Sequence, residues 1–427
     1  MKDVYDWLDT EYNSFFSELG FTQHIATTVK SFSKEEYQSA QTRNLVIRRF
    51  QKKCLELLKD AINGKIDNEI AKWLINDTPV HMREDYLKTL HDAFWNEPVF
   101  FRTDESSTGK LLEIQCPGSQ WGEMQLLYNF FSNKGIPLAI KSPAQNFVEQ
   151  LSKYLQLDKG EEPLVFYLTD NASIPIGVRY FISETRKTIP RIRYWGVDKY
   201  PDGKKAIDSH FIRTHYYAEL FAECDFKTRI QSKNPQKTWY DLPPMSLFDQ
   251  KAALALPFWE KTKQFFDNEI KNILAYTYPV TSDRLVLENG ESMTIAEFCM
   301  KPQSKRHYYI KYAGTDAASN WGSRAVYDLY SNGAKKVKEL LEQALDDYIN
   351  FGKPWILQKE CKEKKVSVTY YEKDQGLEST SSDLNTKYSM YYGPYDLIGG
   401  VISYRREKKV HGQPNTIIRL LYPKRSS

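Results

Sequence analysis

Apolar positions in the stretch EEYQSAQTRNLVIRRFQKKCLELLKDAING recur every three to four residues. Leu45, Ile47, Phe50, Cys54, Leu57, Leu58 and Ile62 share one face of a 3.6-residue period, and Gly64 ends the run. That pattern predicts an amphipathic helix. REDYLKTLHDAFW repeats the spacing over a shorter length, so residues 1–97 are expected to form a helical N-terminal region. From 98 to 245 the pattern changes. The runs PVFFRTD, KLLEIQ, IPLAIK, PLVFYLTD and RIRYWGVD are short and β-like, while WGEMQLLYNFFSNKG and PAQNFVEQLSKYL between them are helical. This alternation predicts an α/β unit with a largely parallel sheet. Ligands of such sheets collect at the carboxyl ends of strands. The acidic groups at 169–170 and 196–198 fall there, although capping the next helix is the commoner task of such residues.

Residues 246–427 read as a third region. FDQKAALALPFWEKTKQFFDNEI is expected to be a helix carrying Lys251, and RHYYIKY a strand leading into a loop of small residues. GAKKVKELLEQALDDYINFG predicts a strongly amphipathic helix stopped by Gly352, PWILQKEC a strand, and the chain end antiparallel strands with tight turns. Residues 374–387, polar and poor in apolar side chains, are expected to be a mobile loop. The whole is an α+β or α/β chain, too long at 427 residues for one ordinary core.

Composition narrows the partners. The formal charge of +4 balances 59 basic against 55 acidic residues, which gives no mandate for nucleic acid. The 29 tyrosines are expected at half-buried strand positions rather than as base-stacking platforms. Five cysteines are widely spread and none forms a C-x-x-C pair, so neither a zinc knuckle nor a disulfide framework is expected. The first residues are acidic and aromatic, unlike a signal peptide, and no run of about 18 apolar residues occurs. A cytoplasmic chain without a membrane partner is the expectation. His81 and His91 have no metal-ligand spacing and are expected to be ordinary histidines.

Chemistry concentrates in three places. In LLEIQ, Glu113 and Gln115 lie two residues apart, so both side chains leave the same face of a strand. They could cap the following turn, or offer oxygen to Mg²⁺. Arg102 on the preceding strand could hold a carboxylate by two hydrogen bonds. Lys251 and Lys311 could neutralise phosphate oxygens, and the small-residue loop after Lys311 could bring backbone amides close to phosphate.

These motifs, in this order, resemble those of the ATP-grasp ligases, in the permuted branch that contains eukaryotic-type glutathione synthetase and glutathionylspermidine synthase. RTDESSTGKLLEIQCPG matches the early R-x-D and E-x-N strands of that branch, with Gln115 in place of Asn. FDQKAALAL matches its helix lysine, IKYAGTDAASNWG its lysine strand and glycine-rich loop, and WILQKEC its adenine strand. The resemblance spans residues 98–427 and implies, after the helical N-terminal region read from the apolar spacing, a pre-ATP-grasp-like α/β domain over 98–245 and an ATP-grasp-like nucleotide region over 246–427. It implies ATP and Mg²⁺ as cofactors and a small or peptide carboxylate and an amine as substrates, joined through an acyl phosphate. Arg102 and Lys311 would be catalytic. Lys251, Lys311, Gly314, Thr315, Asn320, Gln358 and Glu360 would hold the nucleotide, and Glu113, Gln115 and Asp316 the metal. Arg102, Ser119, Trp121, Arg193 and Tyr194 would contact substrate. The loop carries only Gly314 and Gly322, and the adenine-strand glutamate is displaced onto Glu360. A non-catalytic member that binds a nucleotide or a protein partner is the alternative, and the N-terminal region could serve a homodimer contact.

Overall fold

Ser33 and Glu36 begin the first long helix by exchanging hydrogen bonds, Glu36 N to Ser33 Oγ at 3.1 Å and Ser33 N to Glu36 Oε2 at 2.8 Å. Two orphan donors are satisfied at once, which is the physical reason a helix starts here. The structure, a computed structural model, describes residues 23–77, 97–116, 120–138, 141–156, 165–169, 176–188, 193–196, 211–214, 239–240, 246–314, 325–372, 377–408 and 415–423.

In chain order the described elements are strands β1 (His24–Ala26) and β2 (Lys30–Phe32), helices α1 (Lys34–Ile62) and α2 (Glu69–Ile75), then β3 (Phe101–Ser106) and β4 (Leu111–Gln115). Helices α3 (Trp121–Asn133) and α4 (Pro143–Tyr154), β5 (Val165–Thr169), α5 (Ile176–Arg186), β6 (Arg193–Gly196), β7 (Phe211–Thr214) and β8 (Trp239–Tyr240) follow. The remainder comprises α6 (Asn268–Ile273), β9 (Thr277–Pro279), β10 (Arg284–Val286), β11 (Ser292–Thr294), α7 (Ile295–Met300), β12 (Tyr308–Tyr312), β13 (Val326–Asp328), α8 (Ala334–Phe351), β14 (Trp355–Lys359), β15 (Val366–Tyr371), β16 (Glu378–Tyr392), β17 (Leu397–Arg405) and β18 (Ile417–Pro423). It is a mixed α+β architecture. Among the described residues, no helix is long and apolar enough to cross a membrane.

The eight-stranded sheet runs β15-β1-β18-β17-β16-β3-β4, with β2 beside β18. Helix α1 covers one face and α3, α4 and α5 the other. Central β17 is therefore buried throughout, with Leu397 and Ile402 in the core under α1 and Ile398 and Val401 in the core under α3. Helices α3 and α5 approach so closely that a Cβ on Gly122 would stand 2.2 Å from the Gly177 carbonyl oxygen. A second, antiparallel sheet, β13-β12-β14-β9, packs on α7 and α8 and forms a third core.

Five expectations change. In α1, Leu45 is exposed and Asn44 is buried in its stead, because the Asn44 amide donates to the Gly393 carbonyl at 3.1 Å. The N-terminal region is not purely helical, since β1 and β2 pair in parallel with β18, near the other end of the sequence. The parallel sheet is confined to β6-β5-β7-β8, while β3 and β4 are an antiparallel pair in the larger sheet and residues 136–138 form no strand.

The segment around Lys251 folds as short 3₁₀ turns over Ser246–Phe248, Ala252–Ala255 and Lys263–Phe265. Pro257 denies the segment the hydrogen bond an α-helix needs there, and Ala252 N is drawn to the Ala313 carbonyl at 3.1 Å. Residues 378–387 belong to the 15-residue strand β16 rather than a loop. The exposed half of β16 pairs with β15, and Asp383 at φ 58° absorbs an extra residue as a bulge between Ser381 and Leu384.

Candidate functional site

The order of strands decides what meets at the site. Antiparallel pairing sets Asp104 opposite Glu113 and Arg102 opposite Gln115 on β3 and β4, and sets Ser389 of β16 opposite Asp104. Arg102 donates to Asp104 Oδ1 through Nε at 3.0 Å and through its terminal nitrogen at 2.6 Å. Lys387 Nζ lies 2.7 Å from Asp104 Oδ2, and Ser389 Oγ donates to Oδ1 at 2.9 Å. Burial opposes ionisation of Asp104, but Arg102 and then Lys387 outweigh it and hold the carboxyl below the usual carboxylate range.

Glu113 is next along the same face. Lys251 Nζ stands 2.9 Å from Glu113 Oε1, and Gln115 Nε2 lies 3.4 Å from the same oxygen. Burial raises the Glu113 pKa, yet the Lys251 charge wins and the net shift is downward. The turn that carries Lys251 is stitched on both sides. Asp249 Oδ1 accepts from Cys116 N at 3.2 Å, and Lys251 N donates to the Ala313 carbonyl at 3.0 Å. Helix α2 supports it from behind, through Trp73 Nε1 to the Ala252 carbonyl at 3.0 Å and Gln250 Nε2 to the Leu74 carbonyl at 2.7 Å. Burial and then the Glu113 charge push the Asp249 pKa up to about 7.

Lys311 comes from β12 in the other sheet. Its Nζ donates to Gln358 Oε1 at 2.5 Å. Burial lowers its pKa to about 8, with Glu113 opposing and Lys251 adding to the shift. Arg102, Lys251, Lys311 and Lys387 thus lie among the carboxyl groups of Asp104, Glu113, Asp249 and Glu123. Buried charges are tolerated only when paired and hydrogen-bonded, so each of these groups depends on its neighbours in the cluster.

The structure brings together Arg102, Glu113, Gln115, Lys251, Lys311 and Gln358 of the expected set. Gly314 lies two residues past β12, where a Cβ would stand 2.2 Å from Asp77 Oδ2 and 2.5 Å from the Tyr312 hydroxyl, so a larger residue would have to displace those side chains. Thr315, Asp316, Asn320, Ser119, His81 and His91 lie outside the described residues, as do the side chains of Arg193 and Tyr194, whose backbone forms edge strand β6.

Three roles are corrected. Trp121 does not line an acceptor pocket: it is 5% exposed and packs against Phe100, Phe147, Phe181 and Tyr391. Glu360 is bound by His307 Nδ1 and Lys408 Nζ, each at 2.7 Å, and so is not free for a ribose. Gln358 is 1% exposed, and its amide is engaged by Lys311, Leu112 and Thr277 rather than turned toward a base.

Reasoning from sequence missed Lys387, Ser389 and Asp249. No local pattern marks the first two, because polar NTKYS follows a polar run in the sequence. Among the described residues, no cluster of three or more His, Cys, Asp or Glu side chains has the arrangement of a metal site.

No protein-family model matches the chain. No curated protein matches it either. Among solved structures, the fold is similar to one from Methylobacillus flagellatus KT described as a "Putative gamma-glutamylcysteine synthetase". The TM-score is 0.40 and the identity 11%, over 84% of each chain.

Proposed function

We propose that this chain is an ATP- and Mg²⁺-dependent carboxylate–amine ligase of the ATP-grasp type, related in design to the glutathione synthetase and glutathionylspermidine synthase branch. The observation that carries the reading is the meeting of two buried lysines from separate segments, Lys251 and Lys311, beside the Glu113–Gln115 strand face. The donor set suits magnesium, which takes hard oxygens from one or two carboxylates and fills its shell with phosphate oxygens and water. Glu113 and Gln115 would hold it with Asp316, which follows Lys311 in the sequence, and the bound ion would neutralise charge on the transferring phosphoryl group. Lys251 would leave Glu113 for a phosphate oxygen, and Lys311 would take another. A substrate carboxylate attacks the γ-phosphorus, ADP leaves, and an amine displaces phosphate from the acyl phosphate to give the amide. Arg102, anchored by Asp104, would orient the substrate carboxylate.

A second reading, a nucleotide- or partner-binding protein without turnover, is favoured by Glu360 and Gln358, both already engaged within the fold. Melting with and without MgATP separates the readings from no function at all. Wild type should gain several degrees at saturating nucleotide, and Glu113→Gln should lose most of that gain. Phosphate release with pooled acids and amines then distinguishes ligase from binder. No MgATP-dependent gain in wild type sinks the ligase and the nucleotide binder and leaves partner binding alone.

A further inference from the structure

Gln358 sits at the meeting point of four strands, and its orientation is fixed by chemistry. An ammonium can only donate, so the Gln358 atom 2.5 Å from Lys311 Nζ is the carbonyl oxygen. The Gln358 nitrogen then faces Leu112 O at 3.3 Å and Thr277 Oγ1 at 3.1 Å, both able to accept. Thr277 spends its own hydrogen on the Ala275 carbonyl at 2.9 Å, which leaves its oxygen for Gln358. Ala275 N in turn donates to Leu111 O at 3.0 Å. The chain of bonds therefore runs from the Lys311 ammonium on β12, through β14 and β9, to the backbone of β4 immediately before Glu113. A flipped amide would set nitrogen against ammonium and oxygen against a carbonyl.

We propose that Gln358 is a positioning residue for Lys311, fixing the lysine ammonium of one sheet against the strand of the other sheet that carries Glu113. The inference rests on the ligase reading for what Lys311 does, phosphate binding, but not for how Lys311 is held. No contact between Gln358 and substrate is needed. Replacing Gln358 with Met keeps the length and removes both the acceptor and the tie to Leu112. Replacing it with Glu keeps the acceptor.

The test is brief acetylation of the full chain with acetic anhydride, with modification at Lys311 and Lys251 read by mass spectrometry. In the nucleotide-free chain, Gln358→Met should acetylate Lys311 several-fold faster than wild type, with Lys251 unchanged. Gln358→Glu should react no faster than wild type. An unchanged Lys311 rate in a folded Gln358→Met chain overturns the proposal. Should that variant fail to fold, Thr277→Val removes one anchor of the amide and should accelerate Lys311 in the same direction, and an unchanged rate there overturns it too. MgATP should protect Lys311 in wild type. Loss of that protection alone counts against the ligase reading and leaves the nucleotide-free comparison standing.

Discussion

Strand β3 carries buried charge on both of its faces, and the two faces are completed differently. On one, Glu105 accepts from Thr103 Oγ1 at 2.9 Å and from the Tyr392 hydroxyl at 3.2 Å, and is ion-paired with Arg43 of α1. One anion meets one cation and both carboxylate oxygens are used. On the other, Asp104 meets Arg102 and Lys387, and the cluster continues through Glu113 and Lys251 to Lys311 of the second sheet. A closed pair is how a fold tolerates an isolated charge. A network in which several cations share carboxylates can exchange one partner for a ligand. Residue type does not separate these two faces, since both use Arg against carboxylate; the extent of the network does.

The sharpest way to break the closed face is Glu105→Ala. It strands the Arg43 guanidinium beside the core, and removing one member of a buried pair costs on the order of 3–5 kcal/mol. Urea denaturation should show that loss, while the melting gain from MgATP keeps its size. A variant that lost nucleotide binding with full stability would erase the distinction between the faces.

Lys311→Met should show the reverse. Nucleotide-dependent activity should fall about a hundredfold or more, the usual cost of deleting a group that stabilises transferring charge. Stability should hold or rise. The folded pKa of Lys311, about 8, lies below its ordinary 10.5, so between those values the unfolded chain binds more protons and wild type gains stability as pH rises. The stability advantage of Lys311→Met is thus greatest below pH 8 and fades toward 10.5. Denaturation at pH 7 and pH 10 checks the sign.

How much of this could be read from the sequence depended on how far apart the partners lie along it. Helix α8 with Gly352 in the left-handed region at its end, and strands β12 and β14 around Lys311 and Gln358, follow from local period and caps. The face shared by Glu113 and Gln115 is also a local fact of strand geometry. Lys387 and Ser389 were invisible because they reach Asp104 only through β16, paired with β3 from nearly the other end of the chain. β16 itself was hidden by its polar first half, which reads as loop until its pairing with β15 is known. Trp121 misled for the opposite reason. A Trp-Gly pair after a turn looks exposed, whereas Gly122 is there to let α5 approach and bury the indole.

The smallest expected effect concerns the border between the two kinds of charge. Asp249 serves the fold by accepting from Cys116 N, yet it stands in the field of Glu113. Its folded pKa of about 7 exceeds the ordinary 3.8, so between those values the folded chain holds a proton the unfolded chain has lost. The sign follows from linkage: this group weakens the fold progressively as pH climbs from about 4 to about 7, and by a constant amount above. Asp249→Asn keeps an oxygen for Cys116 N and removes the charge. Its melting temperature should match wild type near pH 4 and exceed it at pH 8, by the equivalent of about 1–2 kcal/mol after allowance for partial exposure to water. MgATP or Mg²⁺ alone should narrow that difference in wild type by relieving the repulsion from Glu113. An advantage for Asp249→Asn that is the same at pH 4 and pH 8 would mean that neither burial nor Glu113 raises the Asp249 pKa. It would then belong with Glu105 among the charges the fold has already settled.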